Sequence, residues 1–197
     1  MIVRDYMSGK PITVSPETDV RGAFESLKKY KIRQFPVVRN KKLVGIVTDR
    51  DLRVALMRPE LKVEDIMTND PLTVADETPL EKAALLLREN KINALPVVSR
   101  KKELIGIITV TDVLDALIHL LGFKEEPTKL CVEIPDGSDM EIYDVIRIVQ
   151  GVGPKVLSVN SDKRSKGLYY ILLEQCNIRD ITKIKNRLKG RGIRVLE

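Results

Sequence analysis

Few residues in this chain could carry out a reaction, and that scarcity limits the chemistry at once. Among 197 residues there is one histidine, His119, in an apolar helical context (ALIHLLG). The two cysteines, Cys131 and Cys176, stand too far apart for a metal knuckle or a CxxC redox pair. A multi-histidine metal site cannot be built, and neither a nucleophile elbow nor a GxxxxGK(S/T) loop occurs. Gly151-Val152-Gly153 runs into Pro154, with Val156 where a dinucleotide fingerprint needs its third glycine, so it reads as a turn. No catalytic residue and no metal ligand is assigned. His119 is expected on a helix surface or interface, and both cysteines are expected as buried free thiols.

What the chain does have is one polar constellation written twice: Gly45–Asp51 (GIVTDRD) and Gly106–Asp112 (GIITVTD). In each, an apolar strand runs into a threonine, and a helix is expected near the aspartate three residues on. A helix start presents free N–H groups that suit phosphate. The aspartate cannot itself face a phosphate, but it can accept two hydrogen bonds from a vicinal diol such as a ribose. Thr109 and Thr111 offer hydroxyls that can donate to phosphate oxygens. The same residues also make good strand-to-helix caps with no ligand at all. Asp49-Arg50-Asp51 is no metal site by itself, because neighbouring side chains on a turn rarely converge.

The elements that position these turns follow from sliding the chain against itself. Val3–Val38 aligns on Val63–Val98 with a shift of 60, and Leu43–Leu56 on Leu104–Leu117 with a shift of 61. Together 22 of 50 pairs are identical. Each copy reads as a short extended segment (Ile12–Val14; Leu72–Val74), an N-capped helix, two strands and a final helix. The helix faces are Val20, Ala23, Phe24, Leu27 and Leu80, Ala83, Ala84, Leu87. In the second copy Thr78-Pro79-Leu80-Glu81 suggests a capping box with proline at the first helical position. The strands are Phe35–Arg39 with Leu43–Thr48, and Leu95–Ser99 with Leu104–Thr109, joined by basic turns. One unit of about 55 residues buries too little surface to be comfortable alone, so two are expected to share a core.

These units resemble a tandem pair of CBS motifs, a Bateman module. The resemblance rests on PITV and PLTV, the FPVV and LPVV strands, and the doubled G-h-h-T-x-x-D. It implies adenosine derivatives bound in clefts that combine the Thr/Asp turn of one motif with the base-binding wall of the other. Carried over, site one takes Ile12, Ile32, Arg33, Ile107, Thr109, Thr111 and Asp112. Site two takes Ile46, Thr48, Arg50, Asp51, Leu72, Ile92 and Asn93. The sites differ: Arg33 can join the phosphate end of site one, whereas site two depends on Arg50 and Arg53, so the Asp112 site is expected to be the tighter. The other members of the basic run Lys28–Lys42 read as a solvated helix end and turn.

After a helix end and linker at residues 122–128 the pattern changes. Strand Leu130–Ile134, helix Asp139–Val149, strands Val156–Val159 and Leu168–Glu174, helix Ile178–Leu188 and strand Ile193–Leu196 give a ferredoxin-like β-α-β-β-α-β order. Val132–Val159 is similar to the ACT domain, which often binds amino acids and pairs sheets between subunits. Asp139 stands where that family tends to place a glycine, which favours dimerisation over amino-acid binding. The order resembles the acetoin-utilisation CBS–ACT regulatory proteins.

The fold expected is therefore α/β (α+β): a pseudo-two-fold CBS pair over residues 1–121 (motif one about 1–58, motif two about 61–121) and an ACT-like domain over 129–197. The function expected is a non-enzymatic, cytoplasmic, homodimeric sensor of AMP, ADP or ATP, with S-adenosylmethionine a further candidate ligand. It would relay occupancy to a regulated enzyme or transporter, and no cofactor is required. No run of apolar residues is long enough to span a bilayer. Net charge is +6, but residues 1–121 carry 20 basic and 17 acidic groups and the rest 14 and 11. That even spread, without tryptophan, argues against a nucleic-acid partner. The basic helix (Lys183, Lys185, Arg187, Lys189) keeps a nucleic-acid-binding regulator as an alternative, beside a ligand-free dimerisation scaffold.

Overall fold

The computed structural model describes residues 1–58, 60–121, 126–162 and 164–196, a mixed α/β chain. It falls into two compact units, Met1–Leu114 and Asp115–Glu197.

In the first unit the repeat is visible element by element. Copy one holds β1 (Ser8–Gly9), α1 (Val20–Tyr30), β2 (Gln34–Arg39), β3 (Lys42–Thr48) and α2 (Asp49–Ala55). Copy two holds α3 (Val63–Ile66), β4 (Thr68–Asn69), α4 (Leu80–Glu89), β5 (Ala94–Val98), β6 (Leu104–Thr109) and the start of α5 (Val110–Leu120). The strands form two three-stranded sheets, β2-β3-β4 and β1-β6-β5. Each copy thus lends its short opening strand to the other copy's sheet. Ser8 lies opposite Ile107, and Thr68 opposite Ile46. Val14 and Val74 bridge in parallel to Val37 and Val97.

This exchange explains the glycine that opens each repeated turn. A Cβ on Gly45 would sit 2.5 Å from the Met67 sulfur and 3.0 Å from the Thr68 carbonyl oxygen. On Gly106 it would sit 2.6 Å from the Met7 sulfur and 3.1 Å from the Ser8 oxygen. The visiting strand approaches so closely that only glycine leaves room.

Helix α1 starts where Asp19 Oδ1 accepts from the Gly22 N–H at 2.7 Å, and it buries Val20, Ala23, Phe24 and Leu27. It ends where Lys31 takes a left-handed conformation (φ 54°). Helix α4 buries Leu80, Ala83 and Leu87, with Ala84 half-buried. Its start differs from the expected capping box. Pro79, at ψ 135°, is the cap residue rather than the first helical one, and no side chain caps the helix. Around α1 and its sheet packs a core of Val20, Phe24, Leu27, Phe35, Val37, Val47 and Leu52, which also takes in Val63 from the second copy. The one-residue offset between copies lies in the β2–β3 turn. There Asn40 and Lys41, both at positive φ, make the tight two-residue loop, while the β5–β6 loop is longer.

The second unit contains β7 (Thr128–Glu133), α6 (Ile142–Gln150), β8 (Val156–Ser161), β9 (Leu168–Leu173), α7 (Ile178–Lys189) and β10 (Arg194–Leu196). Its antiparallel sheet runs β10-β7-β9-β8. One face packs Leu130, Val132, Ile171 and Leu173 against Val145 and Val149 of α6 and Ile184 and Leu188 of α7. Two expectations change here. Helix α6 begins at Ile142, not Asp139, because the Glu141 N–H donates to Asp144 Oδ2 at 3.0 Å and fixes the cap there. Cys131 and Cys176 are free but half-buried rather than buried, and partial burial raises both thiol pKa values. Of the expected linker, residues 122–125 lie outside the described residues.

Candidate functional site

The two Thr-x-x-Asp turns share one local geometry. At the end of β6 the Thr109 N–H and Oγ1 both donate to Asp112 Oδ2 at 2.7 Å, and the Asp112 N–H returns to Thr109 Oγ1 at 3.2 Å. At the end of β3 the Thr48 N–H (2.9 Å) and Oγ1 (2.6 Å) donate to Asp51 Oδ2, and the Asp51 N–H returns at 3.4 Å. Each is a reciprocal cap. The Thr109 and Thr48 hydroxyl protons are therefore spent inside the turn and are not offered to a phosphate. Among the described residues nothing bonds to Oδ1 of either aspartate, and neither oxygen is sealed from solvent. One carboxylate oxygen holds the fold and the other is open to a ligand.

Beside the Asp112 turn lies a cleft of about 580 Å³. Six of the seven residues expected at site one line it: Ile12, Ile32 and Arg33 from the first copy, Ile107, Thr109 and Thr111 from the second. Asp112 itself does not line it. The cleft also takes residues the sequence reading left out. Ser8 and Lys10 come from the exchanged strand and the residue after it, Lys31 and Gln34 from either side of Ile32-Arg33. Lys31, read from the sequence as part of a solvated helix end, is the left-handed residue that closes α1, and it lines the cleft. Asn93, expected at site two, lines this cleft instead: the Val110 N–H donates to its backbone carbonyl at 3.1 Å, which fixes it beside the Asp112 turn. No acidic residue lines the cleft, and Lys10, Lys31 and Arg33 form no ion pair with any described residue.

The residues expected at site two are not gathered in the same way. Arg50 and Asp51 border a separate opening of about 430 Å³, with Val54, Ala55, Arg58, Leu61 and Ile66. Ile46, Thr48, Leu72, Ile92 and Asn93 do not line it. The first turn carries charge where the second carries Val110 and Thr111. Asp49 is held by Arg53 along α2 at 2.8 Å, and Arg53 also lies over the Phe24 ring, 5.6 Å from its centroid. Arg53, expected as a phosphate partner, is thus already engaged, while Arg50 stays exposed. His119 is exposed on α5. No helix is long and apolar enough to cross a membrane among the described residues.

Comparison with known proteins places this geometry. The CBS domain model matches twice, over residues 3–58 and 63–119. The inosine-5'-monophosphate dehydrogenase of Korarchaeum cryptofilum is 39% identical over 146 residues, 74% of this chain. The chain spans only 29% of that enzyme. Among solved structures, CBSX2 of Arabidopsis thaliana in complex with AMP is 37% identical (TM-score 0.56), covering 60% of this chain and 97% of CBSX2. The CBS domain pair of protein MJ0100, in complex with 5'-methylthioadenosine and S-adenosyl-L-methionine, is 30% identical (TM-score 0.56) and covers 59% and 95%. An acetoin utilization protein from Vibrio cholerae is 34% identical (TM-score 0.57), covering 64% and 96%. With a doubled repeat, exchanged edge strands and two matches that together exceed half its length, the chain belongs to the CBS-domain family.

Proposed function

We propose that this protein is a non-catalytic sensor of an adenine nucleotide, AMP, ADP or ATP, with S-adenosylmethionine a further candidate. The observation that carries the reading is the cleft of about 580 Å³ whose lining comes from both copies. Its size suits a small organic ligand. Ile12, Ile32 and Ile107 supply an apolar slot for the base. Asp112 Oδ1 is the free acceptor for ribose hydroxyls, and the Thr111 hydroxyl and Arg33 serve the phosphate. AMP bound to CBSX2 and the two adenosine thioethers bound to MJ0100 support the ligand class. The second set, Ile46, Thr48, Arg50, Asp51, Leu72, Ile92 and Asn93, makes at best a weaker site.

A ligand gripped by both copies favours the packing of the copies that fits it, by as much as it discriminates between packings and no more. The second domain, residues 129–197 after a linker at 122–128, is read as ACT-type. Its strand order of β10-β7-β9-β8 with two helices is the ferredoxin-like arrangement and supports that reading. In this reading the protein is a cytoplasmic homodimer joined through that domain and signalling to a partner enzyme or transporter. Isothermal titration with AMP, ADP, ATP and S-adenosylmethionine tests the core of the proposal. A saturable heat with at least one is expected, and no heat with any of the four rejects it.

A further inference from the structure

Three cations without counter-ions among the described residues line one cleft, and two of them stand in left-handed backbone. Lys10 has φ 60° and Lys31 φ 54°, a left-handed region taken readily by glycine, asparagine and aspartate. In the second copy the position equivalent to Lys10 is Asp70, also left-handed (φ 47°), and the position equivalent to Arg33 is Asn93. The turn at residue 10 therefore needs a left-handed residue, and the second copy fills it with a residue suited to that shape. The first copy fills it with a poorly suited one that adds a positive charge to the cleft. Left-handed lysines also stand at 41, 91 and 102, so the conformation alone assigns no role. What marks Lys10 is the charge it adds to the cleft where the second copy has Asp70, and what marks Lys31 is its place beside Arg33 in the lining.

Resting on the nucleotide reading above, we infer that the Asp112-side cleft selects ligands by phosphate number, Lys10 and Lys31 holding the phosphates beyond the first. Arg33 and the Thr111 hydroxyl suffice for a single phosphate. A monophosphate leaves Lys10 and Lys31 without a partner, whereas a di- or triphosphate offers one negative group to each. These side chains are exposed, so the preference is electrostatic and weakens with salt. The ligand class is a nucleoside di- or triphosphate, and the two lysines determine specificity without taking part in any reaction.

The test measures affinities of adenosine, AMP, ADP, ATP and inorganic triphosphate for the whole chain, without divalent ions, for the wild type, Lys10→Gln, Lys31→Gln and Lys10→Asp. The expected order is ATP above ADP above AMP above adenosine, with ATP about tenfold tighter than AMP at low salt. Each glutamine variant should narrow the ATP-to-AMP ratio to about threefold while leaving AMP affinity within about twofold. Lys10→Asp, which installs the second copy's residue, should erase the ratio without loss of thermal stability. AMP binding as tightly as ATP overturns the inference and leaves the nucleotide reading standing, as does an ATP preference unchanged in all three variants. Triphosphate binding that depends on the lysines, with no binding of any nucleoside species, removes the nucleotide reading and keeps the charge selection. No binding of any of the five overturns both.

Discussion

The two Thr-x-x-Asp turns are nearly superimposable in their hydrogen bonds, yet the openings beside them differ in lining and in charge. Thr109 and Thr48 donate twice to Asp112 and Asp51, within 0.2 Å of each other in length. What differs is what stands between and around them. Val110 and Thr111 on one side answer to Asp49 and Arg50 on the other, and Arg33 answers to Asn93. The cap is the part both copies need in order to fold, so duplication preserves it. The residues around the cap are where the two copies differ. A repeated motif therefore reports structure first, and function is read from the places where the repeats disagree.

Exchanging the aspartates is the strongest way to break that comparison. Asp112→Ala and Asp51→Ala each remove one cap and should each lower stability by about 1 kcal/mol. Only Asp112→Ala should lower nucleotide affinity, by about tenfold, as expected for a half-buried charged acceptor of two hydroxyls. Asp51→Ala should leave affinity within about twofold. Equal losses in titration would make the clefts equivalent, and no loss in either would detach the carboxylates from binding.

A second pair probes the shared part alone. Gly45→Ala and Gly106→Ala each push a methyl group against an exchanged strand. The methionine sulfur can swing away, but the Thr68 and Ser8 carbonyls belong to backbone. Each substitution should cost about 1–2 kcal/mol in denaturant unfolding, and the two should agree within about 0.5 kcal/mol. A large disagreement would mean that the exchange is not equivalent in the two sheets.

Much of this was legible from residues alone, and the failures have physical causes. Strands β2, β3, β5 and β6 and the faces of α1 and α4 fall where apolar periodicity puts them, because burial repeats at the period of the element. Helix starts were less secure: Pro79 fits a cap as well as a first helical residue, and Glu141 with Asp144 caps α6 later than Asp139 suggested. The exchange of Ser8–Gly9 and Thr68–Asn69 left no trace, because two-residue strands carry no pattern. Lys10 and Lys31 line the cleft from left-handed positions at the end of a two-residue strand and of a helix, and nothing in the residue type announces either. Asn93 lies beside the Asp112 turn because the Val110 N–H donates to its carbonyl, a backbone contact that no residue type announces.

The smallest expected effect concerns charge at the two poles of the repeat. Arg4 pairs with Asp76 at 2.6 Å and Glu77 at 3.5 Å. At the other pole the equivalents of Arg4 and Glu77 are Glu64 and Glu17, two acids where the first pole has a base and an acid. Arg39 resolves the clash by binding Glu17 at 2.8 Å and Glu64 at 3.2 Å, and its own equivalent, Ser99, is neutral. The Glu17 carboxyl is held below its ordinary pKa, by its own backbone N–H first and then by Arg39. A lowered folded-state pKa means stability that is present above the ordinary glutamate range and lost as pH falls through the folded value. Arg39→Gln leaves two carboxylates facing each other at neutral pH. Its Tm deficit relative to wild type should therefore be greatest near neutral pH and shrink as pH falls through the lowered range of Glu17. Salt should shrink it too, since all three side chains are exposed. Adding Glu64→Arg to Arg39→Gln restores at this pole the arrangement of the other, with a base facing Glu17 as Arg4 faces Glu77, and should recover the lost Tm. A deficit that persists at pH 3, or a double variant no better than the single, would mean that Arg39 acts through packing of its stem and not through the charge that the repeat reversed.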